Sequence, residues 1–400
     1  MSSIPHTIRL KDGQLCNLNK RIAKQEVSLL VCLQAIPDPR KAQGKRHELT
    51  LILLLVFVAL LRGSKDLKDA HLWALHNRKF LARYFLIRHG LPDPTTISRV
   101  MAVLDPDTLV TAFLNFLTLL GVTPGQVYSF DGKTIRAVAS GGAIRHMLSF
   151  FSHDTHLALG QVGVSGKENE IPAFERLLGQ TESLTGCLLL GDALHTQKAT
   201  CKLVLRAGAD YLFVVKNNQR QLKQAITAEL TKRDRQALDT GTYYETERKR
   251  QIVTTVTAVT AQSEEELLPT LTRSNHWDGV QTMGLLHRTG TRTSKDGVIT
   301  QVDELIGFIS SSVLSAEQVA IYLRHHWCIE NNLHWVKDEV FGEDKHTLRK
   351  GNAPQVMSFL RSMAISLCNV LRLKSISDAM HNLEKSPQLH CQFLTMAAVV

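Results

Sequence analysis

Tyr128-Ser-Phe-Asp-Gly-Lys-Thr-Ile-Arg136 opens as a short aromatic run, turns acidic at Asp131 and breaks at once on Gly132. A second stretch, Leu188-Leu-Leu-Gly-Asp-Ala-Leu-His195, ends an apolar run on Asp192 in the same way. Short apolar runs bounded by turn residues read as buried strands, and a strand end can hold a carboxylate rigidly. A charged group at such a place is costly unless it is paired or bound to a metal. Taken singly, each Asp could equally be a helix cap or a turn residue.

Around these two stretches, Gln126–Phe130, Met147–Phe151 and Leu157–Val164 read as three neighbouring strands. The amphipathic segment Ile171–Leu178 precedes the apolar run Cys187–Leu190, and Gln197–Arg206 precedes Tyr211–Val215. Three strands followed by alternating helices and strands predict an α/β sheet with mixed strand directions, over residues 121–239 and again over 311–375. Between these two parts, residues 240–310 alternate in short β-like stretches such as Gln251–Val259 and Gly279–Arg288, which predicts a β-rich insertion.

Upstream, Val27–Leu120 carries apolar positions at helical spacing, punctuated by Pro37, Pro39, Gly63, Gly90, Pro92, Pro94 and Gly121. An all-helical N-terminal domain over residues 1–120 follows. Asp93–Thr96 supplies cap residues before Ile97, Val100, Met101 and Leu104, so a short turn joins two helices there, as in a helix-turn-helix or in any helical bundle. The apolar run Leu49–Leu61 is too short to span a bilayer and reads as a buried helix of a soluble protein. Helical period returns over Ser315–Phe341, and another helix is expected from Pro354 to Leu373, leaving 376–400 as a tail.

The 400 residues hold 47 Lys plus Arg against 37 Asp plus Glu, a formal charge of +10 that favours a polyanionic partner. Between Ala70 and Pro92 there is no acid, and Arg78, Lys79, Arg83 and Arg88 are interleaved with Trp73 and Tyr84. Lys345 to Lys374 is likewise free of acids and contains Arg349, Lys350, Arg361 and Arg372. Two DNA-facing surfaces or two solvated helix faces would both give this pattern. The seven cysteines are widely spaced with no Cys-x-x-Cys pair, which fits a reduced compartment and argues against a zinc site or a disulfide framework. No charged leader with a cleavage site is recognised, so a cytoplasmic, non-membrane protein is expected.

A third carboxylate lies in His325-His-Trp-Cys-Ile-Glu-Asn-Asn-Leu-His-Trp-Val-Lys-Asp-Glu-Val-Phe341. On a straight helix Ile329, Leu333, Val336 and Val340 form an apolar stripe, and Glu330, His334, Lys337 and Phe341 form a second stripe about 100° around it. Glu330 thus stands at the margin of the packed face, or is a surface carboxylate paired with His326 or His334. Two strand-end Asp residues and a helical Glu offer oxygen ligands that suit Mg²⁺ or Mn²⁺. Two such ions serve in-line displacement at phosphorus, by hydrolysis or by strand transfer.

The motifs Asp-Gly-Lys-Thr-Ile-Arg, Gly-Asp-Ala-Leu-His-Thr-Gln, Asp-Tyr-Leu-Phe-Val-Val-Lys-Asn-Asn-Gln and His-Trp-Cys-Ile-Glu-Asn-Asn-Leu-His-Trp resemble the H-repeat-associated, ISAs-type insertion-sequence transposases of the DDE class. The resemblance runs from Asp38-Pro-Arg40 through Glu343-Asp344 and Arg349-Lys-Gly-Asn-Ala-Pro354 to about Lys374. It implies an RNase H-like catalytic domain with the triad on Asp131, Asp192 and Glu330, and a β-rich insertion in the 138-residue interval (330 − 192) between the last two. In the wider class a Tyr, an Arg and a Lys accompany the Glu. Lys337 stands at the Lys position, whereas the Tyr and Arg positions fall on Leu323 and His326, a departure from the pattern. Glu245-Thr-Glu-Arg-Lys-Arg250 departs as well.

The implied activity is transposition: water cuts one strand at each transposon end, and the freed 3′-hydroxyl attacks target DNA at the same site. The alternatives are a two-metal nuclease without strand transfer and a DNA-binding derivative that has lost catalysis. Joining two ends calls for a homodimer. Lys133, Lys216, His334, Lys337, Arg349 and Lys350 are the expected DNA contacts, with the terminal inverted repeats and the target as DNA partners. His195 and Gln197 are candidates to orient DNA or water, or to cap a helix together with Thr196. Trp277 is a candidate to stack on a base.

Overall fold

The computed structural model describes residues 29–385, except 65, 83–84, 124, 136–145, 165–169, 182, 235–237, 248–249, 262–263, 269–275, 295 and 371–374. Arg83, Tyr84, Arg372, Lys374 and the tail from residue 386 therefore lie outside the described residues. The chain is mixed α/β and forms two compact units. One contains residues 1–125, 132–181 and 330–400; the other contains 126–131 and 182–329.

In the first unit, residues 29–120 are helical: α1 (Leu29–Gln34), α2 (Leu49–Leu61), α3 (Leu67–His76), α4 (Arg78–Leu81), α5 (Pro94–Val103) and α6 (Pro106–Leu119). α2 is apolar on every side and all of its residues are buried, as a helix through the middle of a core must be. Among the described residues no single helix is long and apolar enough to cross a membrane.

Asp93 starts α5 by accepting the backbone N–H groups of Thr95 and Thr96, with Pro94 in the first turn where its missing N–H costs nothing. The Thr95 hydroxyl and these N–H groups hold the Asp93 carboxyl down to about 2. Asp93→Ala is expected to cost about 1 kcal/mol in urea unfolding, and Asp93→Asn much less, because Asn caps nearly as well.

The same unit carries an antiparallel pair, β2 (His146–Ser152) and β3 (Ala158–Val164), with α7 (Glu170–Gly179) packed on it. Its late helix α12 (Ala353–Val370) is buried along nearly its whole length, including Gln355, Ser358, Arg361, Ser362 and Ser366. These polar groups have work to do: the Ser366 hydroxyl accepts the Ala158 N–H at 3.0 Å, and the Asn369 amide donates to the His156 carbonyl at 2.8 Å. A short helix, α13 (Ile376–Lys385), follows.

The second unit is built on strands. β1 (Val127–Thr134) begins in it and its last residues belong to the first unit; β4 (Leu188–Gly191), β5 (Asp210–Val215), β6 (Asp239–Glu247), β7 (Arg250–Thr260), β8 (Thr282–Thr293) and β9 (Ile299–Ser310) complete it. β1 pairs with β4 and β4 with β5 in parallel, whereas β5 pairs with β9, β9 with β8, β8 with β7 and β7 with β6 antiparallel. The β-rich stretch 240–310 therefore continues the sheet edge at β5 and is not a separate body. All four residues of β4 are buried, as parallel strands covered on both faces require. Gly191 is dictated by packing, since a Cβ there would come within 2.8 Å of Phe130 and 3.0 Å of Phe213.

Helices α8 (Lys198–Arg206), α9 (Arg220–Lys232) and α11 (Ala316–His326) pack on this sheet, with the four-residue α10 (Glu264–Leu267) beside them in sequence. α11 opens with a capping box, Ser315 taking the Gln318 N–H while the Gln318 side chain takes that of Ser315. It buries Ala316, Val319, Ala320 and Leu323 against Leu188, Leu190, Leu212, Val256 and Phe308.

Candidate active site

Asp131 and Asp192 stand at corresponding places on neighbouring strands. The parallel register pairs Val127 with Leu188, Tyr128 with Leu189 and Ser129 with Leu190. Continued by two residues, that register sets Asp131 beside Asp192, on strands spaced about 4.8 Å apart, with both side chains on the same face. Both carboxylates are half-buried: Asp131 lies within β1, which runs on through Gly132 and Lys133 to Thr134 and so does not stop at the Asp as expected, whereas Asp192 directly follows the buried β4.

The Asp192 turn is held from several sides. Its Oδ1 accepts the backbone N–H of Leu194 at 3.0 Å and of His195 at 3.3 Å, and among the described residues Oδ2 accepts no hydrogen bond. His195 is buried, lies 4.7 Å from the Phe130 ring and brings Nε2 to 3.9 Å from Asp192 Oδ1. The following turn, Lys216 to Gln219, is tied to the same loop: the Asn218 amide donates to the Ala193 carbonyl, Gln219 Nε2 to the Thr196 carbonyl at 3.0 Å, and the Thr196 hydroxyl to the Val214 carbonyl. The backbone turn that carries the exposed Lys216 is thereby tied to the Asp192 loop. Thr196 and Gln197 make no side-chain cap on α8, although Gln197 occupies the cap position.

His326 was not singled out for chemistry by the sequence, yet it belongs to this site. It closes α11, is buried, and its Nδ1 lies 3.0 Å from the Ser129 hydroxyl, two residues before Asp131. Burial pushes its pKa down and outweighs the upward pull of Asp131 and Asp192. Where the family resemblance places an arginine, the site thus holds a buried neutral imidazole. Trp277 requires a correction: it is 1% exposed, so its ring face is not available to a base without unpacking.

The donor chemistry fits a hard divalent ion, because carboxylate oxygens are what Mg²⁺ and Mn²⁺ take. Among the described residues no three His, Cys, Asp or Glu side chains converge into a ready-made metal cluster. Two carboxylates alone make an incomplete shell.

Glu330, the third expected carboxylate, is the first residue of the chain's return to the first unit and is exposed. The helix that bears it is not straight. α11 ends at His326, and the backbone continues in π-type turns over Glu330–His334 and Val336–Val340, so the stripe expected at α-helical spacing is re-aimed. His334, Lys337 and Phe341 face inward, and only Glu330 of that stripe reaches solvent.

Lys337 is 1% exposed, its ammonium donating to Gln161 Oε1 at 3.0 Å and to the Ser358 hydroxyl at 3.2 Å. Burial pushes its pKa down to about 8 against the pull of Glu343. Lys133 is also enclosed, bonded to Asp338 at 2.7 Å and Glu343 at 2.8 Å, and these partners raise its pKa in spite of burial. Arg361 of α12 is buried with its Nη1 3.6 Å from Glu343 Oε1, which removes it from the basic stretch expected to face DNA. Burial alone would raise the Glu343 carboxyl, but Lys337, Arg361 and Lys133 hold it at about 2. Lys133, His334 and Lys337 are therefore internal, whereas Arg349 and Lys350, with Lys345, are exposed, as are Arg78, Lys79 and Arg88.

Gly132 is required by its neighbour: a Cβ there would overlap the His146 ring, which also lies 3.2 Å from the Thr134 hydroxyl and 3.1 Å from Glu170. The Asp-Gly pair thus leaves room for an imidazole beside β1, immediately after the Asp131 carboxylate.

Comparison with known proteins agrees with this architecture. The profile of the transposase DDE domain matches residues 123–367, and that of the DDE_Tnp_1-associated region matches residues 30–117. The chain is 28% identical over 347 residues to the "H repeat-associated putative transposase YhhI" of Escherichia coli (strain K12), covering 85% of this chain and 89% of that one. It is 32% identical over 203 residues to "H repeat-associated putative transposase YbfD" of the same strain, covering 50% of this chain and 79% of that one. A family match across more than half of the chain, with Asp131 and Asp192 inside it, makes this protein a member of the DDE transposases, of the H-repeat-associated kind.

Proposed function

We propose that the protein cuts DNA at the terminal inverted repeats of a bacterial insertion sequence and joins the resulting 3′-hydroxyl ends to target DNA. The observation that carries this reading is the pair of carboxylates that the parallel register of β1 and β4 sets side by side, inside a transposase DDE domain. An antiparallel β2–β3 pair and a parallel β1–β4–β5 set are the parts of an RNase H-like core, and β6–β9 are its insertion.

Asp131, Asp192 and Glu330 are the residues that would hold Mg²⁺ or Mn²⁺. Ions bound there supply charge for the phosphoryl oxygens and favour deprotonation of the attacking hydroxyl. The chain's own part is to prepare the place. Asp192 spends one oxygen on its turn and keeps the other for ligation. Lys216, held beside Asp192, neutralises phosphate on the bound strand, while Arg349 and Lys350 contact backbone elsewhere. Lys133, bonded to Asp338 and Glu343, and the buried Lys337 keep the Glu330 segment in place. A neutral His326 braces Ser129 and so the end of β1. Two ends must be joined, so the working form is a homodimer, acting in the cytoplasm where the DNA is.

The test is a linear fragment carrying the inverted repeats that bracket the gene, incubated with the full chain and Mg²⁺. Cuts at the outer ends of the repeats are expected. Nicks scattered along the fragment would contradict the proposal.

A further inference from the structure

We propose that the groove beside Asp192 is a subsite for one unpaired nucleotide of the DNA strand that enters the active site, with its phosphate on Lys216 and Lys223 and its base on Leu194, Leu305 and Asn217. This rests on the reading of Asp192 as a catalytic carboxylate. The groove has a volume of about 580 Å³ and lies wholly in the second unit, with Asp192 in its wall.

Its charge is not balanced from within. Among the described residues neither Lys216 nor Lys223 makes an ion pair, although Lys223 is half-buried on α9. The groove's other carboxylate, Glu304, is bonded to Arg288 at 3.2 Å. Two cations facing one such space, with a carboxylate at its end, suit a phosphodiester leading to the reacting phosphate.

The apolar part of the wall says which form of DNA fits. Leu194 is 63% exposed and Leu305 41% exposed, side by side with the lysines, and the Asn217 side chain takes no hydrogen bond among the described residues. A duplex presents phosphates and sugars to a protein surface and would leave these leucines uncovered. An unpaired base has an apolar face for leucine and an edge for an amide. The wall is also rigid, because the Asn218, Gln219 and Thr196 bonds tie the Lys216 turn to the Asp192 loop.

The probe is a fluorescein-labelled 12-nucleotide oligo-dT, read by fluorescence anisotropy in EDTA, beside a blunt 30-base-pair duplex. Lys223→Ala is expected to weaken oligo-dT binding about tenfold near 0.1 M salt and to lower the slope of log K against log salt by about 0.7, the single-strand value per phosphate contact. Leu305→Ser, which changes no charge, is expected to weaken the oligo-dT and leave the duplex unchanged. Unchanged oligo-dT affinity and slope in Lys223→Ala would overturn the subsite, and so would equal losses for oligo-dT and duplex in Leu305→Ser. Because no ion or cleavage is involved, failure here is distinct from failure of the catalytic reading, which Asp192→Asn tests by loss of cutting.

Discussion

Asp192→Asn lowers Mg²⁺-dependent cutting at the inverted repeats by well over about a hundredfold, beyond the ~10–100-fold that loss of a partner outside the ligand shell costs. The fold is expected to stand. An Asn Oδ1 can accept the Leu194 and His195 N–H groups as the carboxylate oxygen does, so the turn after β4 keeps its hydrogen bonds. What is lost is the second oxygen, which becomes an amide nitrogen without a lone pair for a cation. The thermal midpoint should move by less than about 1 °C, which corresponds to under about 1 kcal/mol in a chain of this size. Plasmid cleavage beside a melting curve separates the two effects.

The largest stability effect is expected at Glu343, which is not one of the proposed metal-holding carboxylates. Glu343→Leu leaves Lys133, Lys337 and Arg361 enclosed with Asp338, and Asp344 at 4.0 Å from Lys133, to offset three cations. Removing one partner of a buried charge network costs about 3–5 kcal/mol, because the remaining charges keep their desolvation penalty and lose their attraction. Urea unfolding monitored by far-UV circular dichroism measures it.

The pH dependence has two arms. Glu343 titrates at about 2 when folded against an ordinary 4.5, so its contribution is complete above pH 4.5 and is lost as pH falls toward 2. Lys337, at about 8 against an ordinary 10.5, has the same sign in a second window: the unfolded chain binds the extra proton between those values, so the cost of burying this ammonium is relieved and stability rises with pH from about 8 to 10.5. Glu343→Gln should flatten the acid arm below pH 4.5.

The parts of the fold that announce themselves in the sequence are those with local causes. Leu188–Asp192 reads as a strand end because its apolar run stops on Asp, and Asp93 reads as a cap because Pro94 and Thr96 follow it, whereas β1 runs on past Asp131 to Thr134 although Gly132 reads as its break. Leu49–Leu61 reads as buried because no polar residue but Thr50 interrupts it. What could not be read is set by partners distant along the chain. Lys133 meets Glu343 across 210 residues and Lys337 meets Gln161 across 176, so both pass for surface cations until the fold encloses them. The same holds for β9, whose pairing with β5 makes an apparent insertion part of the sheet. No Gly or Pro marks the change from α to π turns after His326, and that change turns His334 and Lys337 inward. His326 itself looks like one of several helix histidines until its ring meets Ser129.

Strand transfer is the step that separates a transposase from a nuclease on the same carboxylates. The direct measurement uses pre-cleaved repeat ends bearing a 3′-hydroxyl, incubated with the full chain, Mg²⁺ and a supercoiled target plasmid. Joined product is predicted with the wild-type chain and none with Asp131→Asn, Asp192→Asn or Glu330→Gln. Hydrolysis without joining by the wild-type chain, or joined product undiminished in Asp131→Asn, would contradict the account.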